Sequence, residues 1–294
     1  MIFNSPVYPI PPSFKDGKLD TNTTKKYISY IEEKGGKHIM TTAGTSQFNL
    51  LSVEEIRNLN STLSVFKGNK IIGLPEMSLT HLIDEIHHLN GSVLDKENTY
   101  LLILFSERYY NDDQIVDFFE TICSESDFPV MVHGNGLKKG YSGTYEYDNL
   151  LLYKLSQIDN FIGMKEESST INYSIDNLKD LNLEIIVAGG SMRRFWCLEP
   201  FGATSYLTGV GSFNPTIEEE FYRYYMEGEM NKAKEIMISK EQPLFEDFMS
   251  IGWHASMRES LKEMGYILEN REPFIKLDQE SKNRVINILN TLIR

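Results

Sequence analysis

Short runs of isoleucine, valine and leucine alternate with longer amphipathic stretches along the first two thirds of the chain. Apolar runs of this length are typical of strands buried on both faces, and the stretches between them have the period of helices. We predict eight strands, at residues 2–8, 37–42, 70–74, 99–105, 129–133, 161–165, 184–188 and 204–208. Their spacing suits units made of one strand and one helix.

Eight such units in a row favour a closed (β/α)8 barrel, the TIM barrel, and a doubly wound open sheet is the alternative. Among the intervening stretches, 53–67 begins after Ser52 as a predicted N-cap, and 113–126 has the same character. From about residue 215 only helical patterns follow, at 217–227, 230–239, 256–264 and 279–292. We therefore predict a barrel core over residues 1–214, and the last barrel helix with a C-terminal helical extension over residues 215–294.

Composition narrows the range of partners. The 294 residues carry 29 Lys and Arg against 42 Asp and Glu, a formal net charge of -13, and no basic patch stands out. Such a chain is a poor partner for nucleic acid or for an anionic membrane surface. The longest apolar run, 100–105, is far shorter than the roughly 20 residues that a membrane span needs, and the first lysine is Lys15. We expect a cytoplasmic protein whose two cysteines, Cys123 and Cys197, are reduced.

The most informative residue is a lysine at the end of a strand. In a TIM barrel the active site forms at the carboxyl ends of the strands. Lys165 closes the sixth predicted strand and is followed by Glu166. A buried lysine is rare without a partner or a chemical role. Desolvation favours the neutral amine, which attacks a carbonyl carbon to form a Schiff base. The alternative is an ion pair at the barrel rim with Glu166 or a neighbouring carboxylate.

Other strand ends supply groups for substrate binding and proton transfer. The fifth predicted strand ends at His133, and the second runs into Gly44, Thr45 and Ser46. A Gly-Thr-Ser turn before a helix offers backbone N–H groups and hydroxyls to a small anion, and the alternative is an ordinary turn whose hydroxyls cap the helix.

The seventh predicted strand is followed by Gly189, Gly190 and Ser191, which we assign to substrate binding because loops at this end of a barrel bind substrate. Arg193 and Arg194 come next. They either bind an anionic distal end of the substrate or lie on a solvated helix start.

No metal or cofactor is predicted. A cluster of acidic and histidine side chains has helical spacing but no H-E-x-x-H pattern, and a solvated helix face explains it better: His81, Asp84, Glu85, His87 and His88. The segment Gly209-Val210-Gly211 lacks the third glycine of a dinucleotide-binding fingerprint.

Several segments, taken together and in order, carry a family resemblance. The segments 14–20 (FKDGKLD), 44–46 (GTS) with 51–55 (LSVEE), and 163–166 (GMKE) resemble the dihydrodipicolinate synthase and N-acetylneuraminate lyase family. Later stretches agree, at 201–203, 227–230 with Ala233, and 271–274. The resemblance covers essentially the whole chain.

This resemblance implies a TIM barrel and a pyruvate-dependent class I aldolase. Lys165 would form an imine with the keto carbon of pyruvate or another 2-keto acid. Gly44, Thr45 and Ser46 would hold the carboxylate, with Thr45 or Ser46 passing protons. Imine chemistry uses the lysine as its electron sink and needs no metal ion. The resemblance also implies a homo-oligomer, a tetramer or a dimer.

The chain departs from the family at informative positions. His133 stands where the family has a proton-relaying tyrosine, and we predict that the imidazole takes over this role, with an ordinary pKa of about 6.5 in place of about 10. The alternative is a histidine that only fills space and forms hydrogen bonds at the barrel rim. Lys138 stands where the synthases use an arginine to grip the aldehyde's carboxylate, and we assign it to substrate binding. Tyr109 and Tyr110 fall late for the synthases' second tyrosine, and residues 191–194 lack the acidic pair of the sialic acid lyases.

We therefore predict a lyase that splits a 2-keto-3-deoxy acid into pyruvate and an aldehyde, or that runs the reverse condensation. The alternatives are a dihydrodipicolinate synthase-type condensation or a dehydration that uses the same lysine, and a non-catalytic barrel that binds a keto acid.

Overall fold

The computed structural model describes residues 1–42, 44–104, 110–134, 147–168 and 170–293. Its strands are β1 (Val7–Pro9), β2 (Phe14–Lys15), β3 (Lys18–Leu19), β4 (His38–Thr41), β5 (Asn69–Leu74), β6 (Thr99–Ile103), β7 (Val130–Gly134), β8 (Phe161–Glu166), β9 (Glu184–Val187) and β10 (Ser205–Tyr206). Its α-helices are α1 (Thr21–Glu33), α2 (Val53–Ser61), α3 (Leu79–Asn90), α4 (Asp112–Glu125), α5 (Asn149–Leu155), α6 (Ile171–Leu178), α7 (Ser191–Leu198), α8 (Pro215–Met226), α9 (Met230–Ile236), α10 (Gln242–Ile251), α11 (Trp253–Glu263) and α12 (Gln279–Ile293).

Eight of these strands form one sheet, in which the spatial order β1, β4, β5 and so on to β10 is the order in the chain. Each neighbouring pair from β5 to β10 is parallel, and a parallel bridge between Val7 and Leu207 joins the two ends of the sheet. Parallel strands in chain order, alternating with helices and closed on themselves, are the TIM barrel. The predicted fold class, a TIM barrel with a C-terminal helical region, is confirmed.

All eight predicted strands are present, and the first one starts later than predicted. The structure places β1 at Val7–Pro9, whereas the apolar pattern predicts residues 2–8. The backbone N–H groups of Ile2 and Phe3 donate to the Glu184 carboxylate, at 2.6 and 3.2 Å, and not to a neighbouring strand. A side chain therefore satisfies backbone donors that the pattern assigns to a sheet.

The helices follow their predicted starts closely. Helix α2 begins after Ser52, whose hydroxyl accepts the Glu55 N–H while the Glu55 carboxylate accepts the Ser52 N–H, which is a capping box. It ends at Ser61 and continues as a 3₁₀ turn over Thr62–Val65, so the prediction of 53–67 is slightly too long. Helix α10 has Pro243 in its first turn, where proline is well tolerated, and a π-helical turn over Met237–Glu241 leads straight into it.

The chain forms two compact units, one of residues 1–7 with 69–207 and the other of residues 8–68 with 208–294. The first unit contains β5 to β10 and has a core that includes Leu101, Phe119 and Ile186, all fully buried. In the second unit the fully buried Phe213 and Phe248 are part of the core. The predicted division after residue 214 stays a prediction.

Two further observations concern the chain as a whole. Both cysteines are free, Cys123 buried and Cys197 exposed, as predicted. Within the described ranges, none of the helices combines the length and the apolar character of a membrane-spanning segment.

Candidate active site

The site is built around Lys165, the next-to-last residue of β8, whose side chain is only 3% exposed. In the ladder between β7 and β8, Lys165 pairs directly with His133, the next-to-last residue of β7. Residues directly opposite each other on neighbouring strands point to the same face of a sheet. The two side chains therefore meet, and Nζ of Lys165 lies 2.7 Å from Nε2 of His133.

A third side chain, Glu167, completes a cluster that we call the Lys165 triad: Lys165, His133 and Glu167. Glu167 comes two residues after Lys165, so the alternation of a strand places both on the same side. Its Oε2 lies 2.7 Å from Nζ of Lys165 and 3.0 Å from Nε2 of His133. With 22% of its side chain exposed, against 3% for Lys165 and 5% for His133, Glu167 is the member that faces solvent.

The charges of the triad are strongly coupled. Burial by itself raises the pKa of the Glu167 carboxyl, but the nearby Lys165 and His133 outweigh burial and hold this pKa well below its usual range. Glu167 is therefore a carboxylate at neutral pH. Nε2 of His133 faces both partners: it accepts from the lysine when it carries no proton and donates to the carboxylate when it carries one. The position of one proton decides which hydrogen bond forms.

Glu166 lies on the opposite side of the strand end and has a different partner. Its carboxylate accepts from Arg194 of α7 in a bidentate pair, Nε to Oε2 at 3.0 Å and Nη2 to Oε1 at 2.8 Å. The Ser168 N–H and the Ser174 hydroxyl also donate to Oε1. Because Arg194 is buried and paired, both interpretations of it, as a ligand of the substrate and as part of a solvated helix start, are wrong. Arg193 is exposed.

The segment after β9 has features of a binding loop. Gly189 has a φ of 75° and Ser191 a φ of 46°, a left-handed conformation that is strained for a residue with a side chain. Ser191 is 2% exposed, and nothing in the described part of the chain hydrogen-bonds to its buried Oγ. A buried hydroxyl without a protein partner at a helix N-terminus is available to a ligand. The predicted role of Gly189, Gly190 and Ser191 in substrate binding stays a prediction.

The remaining predicted site residues lie elsewhere in the chain. Gly44, Thr45 and Ser46 form a 3₁₀ turn after β4, within the second compact unit. Gly44 is exposed and Thr45 is buried. Lys138 and Tyr109 lie outside the described residues. The roles assigned to all of these residues stay predictions.

Sequence reasoning leaves Glu167 out and considers Glu166, or an unspecified neighbour, as the partner of Lys165. The period of two in a strand is the signal that finds it, because it pairs residue 165 with 167 and not with 166. Among the residues that the structure describes, no group of three or more His, Cys, Asp or Glu side chains is arranged to hold a metal ion.

The chain is similar to known proteins in sequence and in fold. The Dihydrodipicolinate synthetase family matches residues 103–292, which is more than half of the chain. The 4-hydroxy-tetrahydrodipicolinate synthase of Archaeoglobus fulgidus is 22% identical over 188 residues, which span 63% of this chain and 63% of that protein. A probable 5-dehydro-4-deoxyglucarate dehydratase of Bacillus licheniformis is 20% identical over 298 residues, covering 96% of this chain and 91% of that protein. The crystal structure of dihydrodipicolinate synthase from Thermotoga maritima has a TM-score of 0.85 at 18% identity and covers 99% of both chains.

The fold is a TIM barrel, and a buried lysine lies at the carboxyl end of one of its strands. The chain belongs to the dihydrodipicolinate synthetase family, as its resemblance predicts. It is an enzyme of this family, whose curated relatives are named as synthases and dehydratases.

Proposed function

We propose that Lys165 forms a Schiff base with the keto carbon of pyruvate, and that the enzyme cleaves or forms the carbon–carbon bond of a 2-keto-3-deoxy acid. The observation that carries this proposal is a buried amine with two groups for proton transfer, each 2.7 Å from Nζ. Membership of the family supports the same assignment.

Imine formation begins with the loss of a proton from Lys165. The ammonium gives this proton to Nε2 of His133, which is 2.7 Å away. The neutral amine attacks the keto carbon, and a proton moves from nitrogen to the former keto oxygen to give a carbinolamine. The imidazolium then protonates the carbinolamine hydroxyl, the C–O bond breaks, and water leaves. The result is a protonated imine, with His133 neutral again.

The protonated imine is the electron sink for the next step. In the cleavage direction neutral His133 takes the proton of the C4 hydroxyl, which becomes the aldehyde carbonyl, and the C3–C4 bonding pair moves to form an enamine. The enamine accepts a proton at C3, and water then hydrolyses the imine to release pyruvate and Lys165. We assign the proton transfer at C3 to His133, because a group beside Nζ is close to the atoms that react. The role of Thr45 or Ser46 as a relay is an expectation from the family resemblance.

A second function has support from the comparisons. A relative aligned over 96% of the chain is a probable dehydratase, and the Archaeoglobus fulgidus relative is a synthase. A dehydratase would use the same imine to expel a hydroxyl as water, and a synthase would add the enamine carbon to an aldehyde. The products separate these reactions, because the cleavage of a 2-keto-3-deoxy acid releases pyruvate whereas the dehydration releases water and no pyruvate.

The test is reduction of the protein with borohydride in the presence of pyruvate, followed by peptide mass spectrometry. We expect one reduced pyruvate adduct at Lys165 and none in Lys165→Ala. Lys154→Ala is the matched control, because this lysine is half-buried at the surface, with 37% of its side chain exposed, and pairs with Asp113. The same experiment with a panel of 2-keto acids, and an assay of released pyruvate, identifies the substrate class. A protein that forms no adduct at saturating pyruvate would leave only the keto-acid-binding barrel.

The assembly and location of the enzyme are proposals of the same kind. We infer a homotetramer, with a dimer as the alternative, and a cytoplasmic location, following the family resemblance and the acidic composition. The chemistry requires no metal, because the imine supplies the electron sink. Sedimentation velocity measures the assembly, and activity in a chelator measures the metal requirement. A stable monomer would remove the first inference, and activity that is lost in the chelator and restored by a divalent ion would remove the last.

A further inference from the structure

Oε2 of Glu167 lies 2.7 Å from Nζ of Lys165, the nitrogen that would form the imine, and none of the proposed steps uses Glu167. We propose that Glu167 is a catalytic residue, an inference that rests on the proposed Schiff base at Lys165. Glu167 accepts the hydrogen bond from the Nε2–H of His133 in place of Lys165, so that the lone pair of the amine is free to attack the keto carbon.

Lys165 must lose a proton before it can attack the keto carbon. When Nζ gives its proton to Nε2 of His133, the products are an amine with a lone pair and an Nε2–H group 2.7 Å from it. Left as a pair, the imidazolium N–H points back at that lone pair and hydrogen-bonds to it. An amine whose lone pair accepts a hydrogen bond is not available as a nucleophile. The lysine and histidine alone therefore form an unproductive pair.

Glu167 supplies the competing acceptor. Its Oε2 lies 3.0 Å from the same Nε2, and a hydrogen bond between an imidazolium and a carboxylate is stronger than one to a neutral amine. The imidazolium therefore donates its Nε2–H to Glu167, and the lone pair of Lys165 accepts no hydrogen bond. Because Oε2 also lies 2.7 Å from Nζ, the same carboxylate is next to the positive charge before the transfer and after it. One fixed negative charge thus accompanies the positive charge from ammonium to imidazolium to protonated imine.

Hydrogen bonds of Glu167 and of its two neighbours in the chain fix the backbone at this position. The Glu167 N–H donates to the Gly134 carbonyl at 2.9 Å, which extends the contact between β7 and β8 by one residue. The next residue, Ser168, is held by two hydrogen bonds: its N–H donates to the Glu166 carboxylate, and its carbonyl accepts from Arg194. Glu166 itself cannot perform the role of Glu167, because its carboxylate is committed to Arg194.

The experiment measures how fast the pyruvate adduct forms at Lys165, by borohydride quenching at a series of times. We compare the wild type with Glu167→Ala, Glu167→Gln and Glu167→Asp. Asp159→Asn is the control, because it removes one exposed carboxylate from the same compact unit. We expect Glu167→Ala and Glu167→Gln to form the adduct about 10²-fold more slowly, the usual cost of losing a positioned electrostatic partner. Glu167→Asp should stay within about tenfold of the wild type, and Asp159→Asn should be unchanged.

Chemical rescue separates this role from structural support. Because Glu167 faces solvent, formate should reach the space left in Glu167→Ala and restore part of the rate. It should not restore Lys165→Ala or His133→Ala. Wild-type rates in both Glu167→Ala and Glu167→Gln would overturn the inference, and so would a slow rate that neither aspartate nor formate improves. A wild-type protein that forms no adduct is a different result, because it overturns the proposed function and this inference falls with it.

Discussion

His133 and Lys165 are direct partners in the ladder between two parallel strands, and Nε2 and Nζ are 2.7 Å apart. Their distance is set by the sheet, since both residues belong to strands and not to the loops that follow. Groups held by regular structure keep their geometry more accurately than groups on loops. A histidine in this position can move protons at an imine formed on Lys165, and pyruvate alone is sufficient to test it.

We predict that His133→Ala forms the pyruvate adduct at Lys165 more slowly than the wild type but still to completion, and that it loses proton transfer at C3. Enzyme-catalysed exchange of the pyruvate methyl protons for deuterium in D₂O, followed by proton NMR, should slow about 10²- to 10⁴-fold. His88→Ala, a change at an exposed histidine of α3, should leave the exchange rate unaltered. Near-normal exchange in His133→Ala would show that another group moves the proton, with Tyr109 and Tyr110 as the next candidates.

The sequence predicts the barrel and the strand ends well, because strands buried on both faces form apolar runs that few other elements imitate. Once the strands are placed, Lys165 and His133 follow as residues near the ends of neighbouring strands. The sequence analysis does not identify Glu167 as a partner of Lys165. The alternation of side chains along β8, continued by one residue, is enough to place the two on the same side. Gly163, part of the segment that carries the family resemblance, has a reason that only the structure shows: a Cβ there would lie 2.1 Å from the Glu184 carbonyl oxygen.

Arg194 shows why other features could not be predicted. Its partner Glu166 is 28 residues away in sequence, on a different element, and no local pattern connects the two. Two adjacent arginines after a glycine pair look the same in sequence whether they face a ligand, the solvent or a buried carboxylate. Only the packing of α7 against the end of β8 distinguishes these cases.

The Glu166–Arg194 pair gives the second prediction, which concerns stability. Removing one partner of a buried ion pair leaves an uncompensated charge, so Arg194→Met should lower the free energy of unfolding by about 3 to 5 kcal/mol. Arg193→Met changes the exposed neighbour in the same way and should cost much less, about 0.5 kcal/mol. Urea unfolding followed by circular dichroism measures both. Equal losses in the two variants would mean that the pair contributes little.

The third prediction is an acid-sensitive contact in the second compact unit. Hydrogen bonds from Arg271 hold the pKa of Glu55 at about 2, with Nη1 at 2.6 Å from the carboxylate. A carboxyl whose pKa is lowered by folding stabilises the protein above its unfolded pKa, about 4.3, and loses this contribution as the pH falls toward 2. Wild type should therefore be more stable than Glu55→Gln at pH 7, and the difference should shrink below pH 4.5. Melting temperatures at pH 7, 5 and 3.5 test this. A difference that stays constant over this range would contradict it.

The last prediction concerns His38 at the start of β4, which is 2% exposed. Burial, together with the charge of Lys37, lowers the pKa of this imidazole to about 4. In the unfolded chain its pKa is about 6.5, so between these values the unfolded state binds a proton that the folded state excludes. The folded protein should lose up to about 3 kcal/mol of stability from this residue as the pH falls from 6.5 to 4. His38→Gln has no titrating group and should lose less over the same interval, whatever its stability at pH 7. Urea midpoints of both proteins at pH 7, 6, 5 and 4 give the two slopes, and parallel slopes would show that His38 takes up its proton without unfolding.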